Sequence, residues 1–351
     1  RPRSCYEIAE MKRWQTLLIG LAISVAFLYL ALRQANFNQV FAAFRTARYG
    51  FVALAFLGVG VTILLRGLRW NILTQGRLTV IDGFWLFNVG FLFNNVLPAR
   101  LGEFARAFLA GRRPNMHFTS ALSSIVVERL FDMASVVLLI MLVLLVLPLP
   151  AWATTAGALM GAGALAGVAV MALAARRSGW ALDLGSRVLA LAPRLSRDNA
   201  RAFLQPFVEG LGGVSDLRTF ALGLASSFVA WVASGLAAWL LMLAFWPSVP
   251  LIVGQLAVAG AGLGVSIPAA PSGVGPFEAA TIGVLTATGY DADVSRSFAF
   301  ALHGLNFAVT SLFGLLGLMR EGMSFGQVVR EARALREHPG EESAPVEVIQ
   351  P

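Results

Sequence analysis

The chain has 351 residues, 57% of them hydrophobic and 13% charged, with a mean hydropathy of +0.73. That composition excludes an ordinary soluble domain and leaves no space within these residues for a soluble catalytic unit beside the apolar segments. A net charge of +8 fits the basic flanks of membrane spans and anionic lipid headgroups, so no nucleic-acid partner is expected. A single cysteine, Cys5, and three scattered histidines (His117, His303, His338) exclude an internal disulfide and argue against a zinc site, so neither metal nor cofactor is expected.

The predicted elements begin with an N-terminal extension, 1–13, in which Met11-Lys12-Arg13-Trp14 reads as a natural start without a cleavable signal. Apolar runs of helical length follow at 14–32 and 51–68, the latter ending in Arg66, Arg69 and Trp70, which read as an interface anchor first and a headgroup contact second. An interrupted segment comes next: 84–97 and 101–111 flank Pro98-Ala-Arg100-Leu-Gly102-Glu103. Spans at 119–147 and 151–175 lead to an amphipathic stretch at 194–215, expected to lie on the cytoplasmic interface. Gly157/Gly161 and Gly163/Gly167 form small-residue pairs suited to close helix packing. A span at 218–246 precedes a second interrupted segment, where 251–270 and 274–289 flank Pro271-Ser-Gly273-Val-Gly275-Pro276-Phe-Glu278. The last span, 296–319, leaves a charged tail, 321–351, expected to be partly disordered.

Both interruptions read Pro, three residues, Gly, then a carboxylate. Backbone broken at membrane depth survives only where protein buries it or where it lines a polar cavity, so two matched breaks point to one site built from two halves. The fold expected is therefore an all-α polytopic membrane protein with an inverted-topology repeat, about six full spans and two re-entrant or broken helical hairpins. Its first repeat occupies 14–147 and its second 151–320. Basic residues then place both termini in the cytoplasm, with Arg33, Arg45 and Arg48 as exceptions on the other side.

The candidate site residues are the polar groups that this arrangement carries into the bilayer. Glu128, Arg129 and Asp132 lie about ten residues into a span, with Arg129 and Asp132 at i and i+3 able to pair. Each buried charge costs about 2.5–3.5 kcal/mol on an insertion scale, so these groups face the bundle interior or water. They are read either as an internal ion pair that locks the helix or as part of substrate handling. In the first tip, Arg100, Glu103 and Arg106 follow the break, where unpaired helix N–H groups suit an anion. The second tip presents Ser272, Gly273 and Glu278 but no cation, and Glu278 is expected to need an arginine of the first half. In the last span Arg296, His303, Asn306 and Thr310 recur on one face, with His303 read as a proton carrier or as a satisfied hydrogen-bonding residue. No enzyme motif stands out, so the chain is not expected to be an enzyme.

At Asn95-Val-Leu-Pro98-Ala-Arg100-Leu-Gly102-Glu103 with Arg106, Glu128-Arg129 with Asp132, and Pro271-Ser-Gly273-Val-Gly275 with Glu278, the chain resembles the transmembrane region of the lysylphosphatidylglycerol synthase family. The resemblance covers about 14–320 and implies a flippase-like protein that moves a membrane phospholipid or a polyprenyl-phosphate-linked lipid between leaflets. Two other readings stay open: a membrane enzyme acting on lipid phosphates, and a non-transporting scaffold that gathers envelope-lipid biosynthetic enzymes. The expected location is a bacterial or archaeal cytoplasmic membrane, and a homodimer is left open.

Overall fold

The structure is a computed structural model that describes residues 21–97, 101–114, 116–144, 176–189, 216–267 and 271–337 continuously, with isolated positions at 146 and between 155 and 208. Among the described residues there is no strand. The helices are α1 (Leu21–Leu32 as described), α2 (Phe37–Thr46), α3 (Tyr49–Leu73), α4 (Val80–Val96), α5 (Leu101–Gly111) and α6 (Phe118–Leu144). They continue with α7 (Ser178–Leu189), α8 (Leu217–Phe245), α9 (Leu251–Ser266), α10 (Pro276–Ala287), α11 (Ala292–Arg320) and α12 (Phe325–Glu337). Helices α3, α8 and α11 are long and apolar enough to cross a membrane. Helix α6, at 27 residues, is about 40 Å long but carries Glu128, Arg129 and Asp132.

Local chemistry sets where these helices begin. Thr79 accepts from Asp82 N, Asp216 from Thr219 N, and Asp291 from Asp293 N and Val294 N, so α4, α8 and α11 each start on a capping side chain. Leu54, Leu57, Val61 and Leu68 of α3 remain exposed on the bundle exterior, as a lipid-facing surface requires. The core is built around α3 packed antiparallel on α8, with α4 between α3 and α11.

The connections define two ends. Arg48, just before α3, donates to the carbonyls of Leu243 and Trp246 at the end of α8, and Trp246 packs edge-on against Tyr290 at 5.4 Å. One of the expected exceptions to the charge rule is thus occupied in capping a helix C-terminus, where a cation is favoured. At the opposite end Arg113 bonds Glu321 at 2.6 Å and Asp82 at 3.2 Å, and Arg320 reaches Asp82 at 3.4 Å. The hydrogen bonds that Arg113 donates to the Glu321 carboxylate hold its guanidinium above its ordinary pKa despite partial burial.

Helices α4 and α5 therefore start and finish at the Arg320 end, while α9 and α10 start and finish at the Tyr290 end. Their inner ends meet: Ser272 Oγ lies 3.3 Å from Asn95 Oδ1, beside the middle of α11. The first turn has its own clasp, since Asn94 Oδ1 accepts from Gly102 N at 2.9 Å. The second turn is tight enough to put Ser272 at φ 63 and Gly273 and Gly275 at φ 74 and 96.

Part of the charged tail expected from 321 onward is helical: α12 docks on the bundle, with Phe325 stacked on Phe93 at 4.3 Å and Val328 fully buried. Most of 194–215 and all of Gly157 and Gly161 lie outside the described residues, as do 1–20 and 338–351. Gly167 meets Leu130, whereas Gly163 faces open space.

The α4–α5 contact yields a prediction. A Cβ at Gly102 would overlap the Gly90 carbonyl and come within 2.7 Å of Asn94 Oδ1. Gly102→Ala is expected to lose about 1–3 kcal/mol through overpacking, read as a lowered melting temperature in detergent, while Gly60→Ala, with open space around it, stays close to wild type.

Candidate functional site

Among the described residues, two polar clusters occupy the interior. The larger joins α3, α5, α6 and α8 around Arg69. Its guanidinium lies 2.9 Å from Glu128 Oε1 and 2.5 Å from Asp132 Oδ1, and NH1 also donates to Ser227 Oγ at 3.1 Å. Arg106 approaches Glu128 from α5 at 3.2 Å, with its Cζ 4.0 Å from the Phe87 ring centroid and 4.5 Å from that of Trp70. Trp231 Nε1 donates to Asp132 Oδ1 at 2.9 Å, and Trp70 Nε1 to Ser124 Oγ at 2.8 Å. Arg66 lies above the Trp231 ring, 5.6 Å from its centroid.

This cluster obeys the rule that a buried charge needs partners. Arg69 and Glu128 have fully buried side chains, and Arg106 is 4% exposed. Arg129 differs. It pairs with Glu103 at 2.7 Å, yet its side chain is 37% exposed and that of Glu103 24%. The two face a small cleft lined also by Phe87, Phe91, Asn94 and Arg106. A guanidinium there offers a planar fork to an anion entering from the bundle surface.

The smaller cluster sits at the second turn. Glu278 Oε1 lies 2.6 Å from His303 Nδ1, Glu278 Oε2 accepts from Gly275 N at 2.7 Å, and His303 Nε2 lies 2.7 Å from Ser272 Oγ. Asn95 Nδ2 donates to Thr310 Oγ1 and Ser311 Oγ at 3.1 and 3.0 Å.

Several sequence readings are corrected by this geometry. Arg129 and Asp132 do not pair with each other: their side chains point to different helices, Arg129 to Glu103 and Asp132 to Arg69. Arg69 and Trp70 are no interface anchor, because both are fully buried and serve the central cluster. Glu278 takes His303 and a backbone N–H in place of an arginine of the first half. Asn306 Nδ2 bonds back to Leu302 O of its own helix, and Arg296 turns to Asp293 and the Ala31 carbonyl near the helix end. Gly273 supplies a left-handed turn residue, with Val265 as its nearest neighbour. Arg100 lies outside the described residues.

Sequence reasoning missed Arg69, Ser227 and Trp231 as members of the cluster. The i, i+4 spacing of Ser227 and Trp231 on α8, and the position of Arg69 within rather than beyond α3, were the available signals.

The sequence model described as lysylphosphatidylglycerol synthase TM region matches residues 17–314. The chain is 28% identical over 372 residues to a protein named glycosyltransferase AglD from Haloferax volcanii, covering 95% of this chain and 58% of that relative. It is 23% identical over 223 residues to UPF0104 membrane protein MJ1078 of Methanocaldococcus jannaschii, covering 64% of this chain and 91% of that protein. The chain thus spans little more than half of the first relative. No solved structure matches it significantly.

The unequal burial of the arginines separates two variants. Arg69→Ala leaves Glu128 and Asp132 without their shared cation and is expected to lose about 3–5 kcal/mol. Arg129→Ala, at the exposed cleft, is expected to change stability by about 1 kcal/mol or less. Thermal unfolding of both in detergent checks the contrast.

Proposed function

The chain belongs to the lysylphosphatidylglycerol synthase transmembrane-region family, and on that premise we propose that it is a lipid translocase moving an anionic headgroup between leaflets. The observation that carries the reading is the unequal exposure within one ion cluster. Arg69, Arg106 and Glu128 are sealed and fix the scaffold, whereas Arg129 and Glu103 open onto a cleft between α4, α5 and α6. A phosphate entering the cleft displaces Glu103 from Arg129 and takes its fork bidentately, while acyl or polyprenyl chains stay against the apolar exterior. Without a headgroup, Glu103 satisfies Arg129 and keeps a bare cation out of lipid.

The inverted-topology reading belongs to the same proposal. Its support is that the two hairpins enter from opposite bundle ends and touch through Ser272 and Asn95. Two half-sites meeting inside allow one hairpin to move against the other around a central headgroup. With Arg77, Arg112, Arg113 and Arg320 at or near one end, the positive-inside rule supports taking that end as the cytoplasmic one, in a membrane proposed to be bacterial or archaeal. Both termini fall on that side in a six-span arrangement. The substrate class is an anionic phospholipid or a polyprenyl-phosphate-linked lipid.

The name of the Haloferax relative favours a second reading, a membrane enzyme acting on lipid phosphates with Arg129 binding and Glu128 or His303 as acid/base. The burial of Glu128 speaks against it. Both oxygens of that carboxylate face arginines and its side chain is fully buried, so it is poorly placed to exchange a proton with a substrate. Mass analysis of the lipid after incubation separates the two, since translocation leaves the substrate's mass unchanged.

The test is transfer of a fluorescent phosphatidylglycerol across vesicles containing the full chain. Arg129→Ala is expected to slow transfer about 10- to 100-fold, as loss of a charge-assisted contact of about 1.5–3 kcal/mol requires. Arg129→Lys recovers part of the rate, because charge returns without the planar fork. Equal rates for wild type and Arg129→Ala would overturn the reading.

A further inference from the structure

The smaller cluster contains a hydrogen-bonded chain that headgroup binding does not use. It runs from Gly275 N–H to Glu278, from Glu278 to His303, from His303 to Ser272, from Ser272 to Asn95, and from Asn95 to Thr310 and Ser311. One end belongs to the second hairpin and the other to the first, with α11 between them. Every step is 2.6–3.3 Å long.

Donor counting shows what the chain requires. The Glu278 carboxylate only accepts, and its two oxygens face Gly275 N–H and His303 Nδ1, so Nδ1 carries a proton. Asn95 has committed Nδ2 to Thr310 and Ser311, and its Oδ1 therefore needs the single hydroxyl proton of Ser272. A neutral His303 has a bare Nε2 that claims the same proton, leaving two oxygens facing each other between the hairpins. A doubly protonated His303 donates through Nε2 to Ser272 instead, and the hydroxyl is released to Asn95. With Glu278 ionised and the Asn95 amide in this orientation, each contact in that state has one donor and one acceptor.

Among the described residues, the helices nearest the cluster carry few other charges. Helices α1, α9 and α10 carry no acidic or basic residue apart from Glu278, and α4 carries only Asp82, at the opposite end of the helix from Asn95. The nearest charges on α11, Asp293 and Arg296, pair with each other about two turns away. Around Gly275, α1 contributes the Ser24 carbonyl, Leu28 N and the Phe27 side chain, and Val265 of α9 adjoins Gly273. Phe277 covers one face of the imidazole, its ring centroid 4.5 Å away.

We infer that His303 with Glu278 forms a proton-binding site whose occupancy ties the two hairpins together through Ser272 and Asn95, and whose release frees them, so that lipid movement is coupled to protons. The coupling rests on the translocase reading, whereas the proton-controlled tie does not. With His303 charged the tie is closed, so low pH holds the hairpins together and high pH lets them part.

Two readouts on the full chain separate these levels. Spin labels at Val96→Cys and Val265→Cys, both exposed at the hairpin ends, in a Cys5→Ala background report the distance between hairpins without any transport. In phosphatidylglycerol-containing vesicles the distribution is expected to be narrow at about pH 5.5 and broader or longer at about pH 8.5. His303→Gln removes the pH dependence. Ser272→Ala, which keeps the titrating pair but cuts the tie, gives the open distribution at both pH values and covers the case in which His303→Gln misfolds. In the same vesicles, fluorescent phosphatidylglycerol transfer should change several-fold when an imposed pH gradient is reversed, and should ignore the gradient in Ser272→Ala. A wild-type distance that does not respond to pH, or one that titrates equally in His303→Gln, overturns the proton site while leaving the translocase reading to the Arg129 test. A distance that titrates alongside absent lipid transfer upholds the site and defeats the translocase reading. Covalent labelling of Ser272 by a fluorophosphonate probe would assign the hydroxyl, imidazole and carboxylate to acyl chemistry and overturn the inference.

Discussion

The structure depends on one buried guanidinium. Arg69 sits fully out of solvent between Glu128 and Asp132, and withdrawing it would leave Asp132 without its ion-pair partner and Glu128 with Arg106 alone. A charge held inside a membrane protein is tolerated only when several partners converge on it, so α3, α6 and α8 are obliged to meet at this depth. Arg106 then brings α5, and with it the first hairpin, onto the same carboxylate. Ordinary apolar packing does not specify register strongly among lipid-facing helices, whereas an ion cluster with several fixed hydrogen-bond directions does.

That scaffold explains why adjacent residues differ so much in what they are free to do. Glu128 and Arg129 are neighbours, but a step of one residue turns the side chain by about 100° around the helix. Glu128 is sealed among arginines while Arg129 reaches the cleft and leans on Glu103. Asn94 and Asn95 show the same division: the first clasps α5 through Gly102 N, and the second crosses to Ser272 and α11. Each pair assigns one member to holding a hairpin and the other to what the hairpin meets.

The two clusters also differ in kind. The first balances arginines against carboxylates in close ion pairs. The second is a carboxylate, an imidazole, a hydroxyl and an amide at the contact between hairpins. One is suited to holding a fixed architecture and an anion at its edge, the other to changing state. Gly273 and Gly275 allow the turn that carries the second cluster, since their positive φ angles are strained for other residues.

The paired Pro/Gly interruptions, the length of the apolar runs and the placement of Glu128, Arg129 and Asp132 within one of them determined in advance an all-helical membrane protein with polar groups inside. Those are properties of local composition and period, which a linear chain displays directly. Family membership was legible for the same reason, because three short motifs stand in order along the sequence. Tertiary structure alone decided the partners. Arg69 looked like an interfacial residue because it lies near the end of an apolar run, and only the packing of α6 and α8 across it makes it central. The i, i+3 spacing of Arg129 and Asp132 allowed an ion pair that the fold rejects, since stronger partners arrive from other helices: Arg69 lies 63 residues before Asp132, and His303 is 25 residues beyond Glu278. Spacing along a helix limits which groups share a face, but the choice among buried partners is made by whichever opposite charge or donor the folded chain brings within reach.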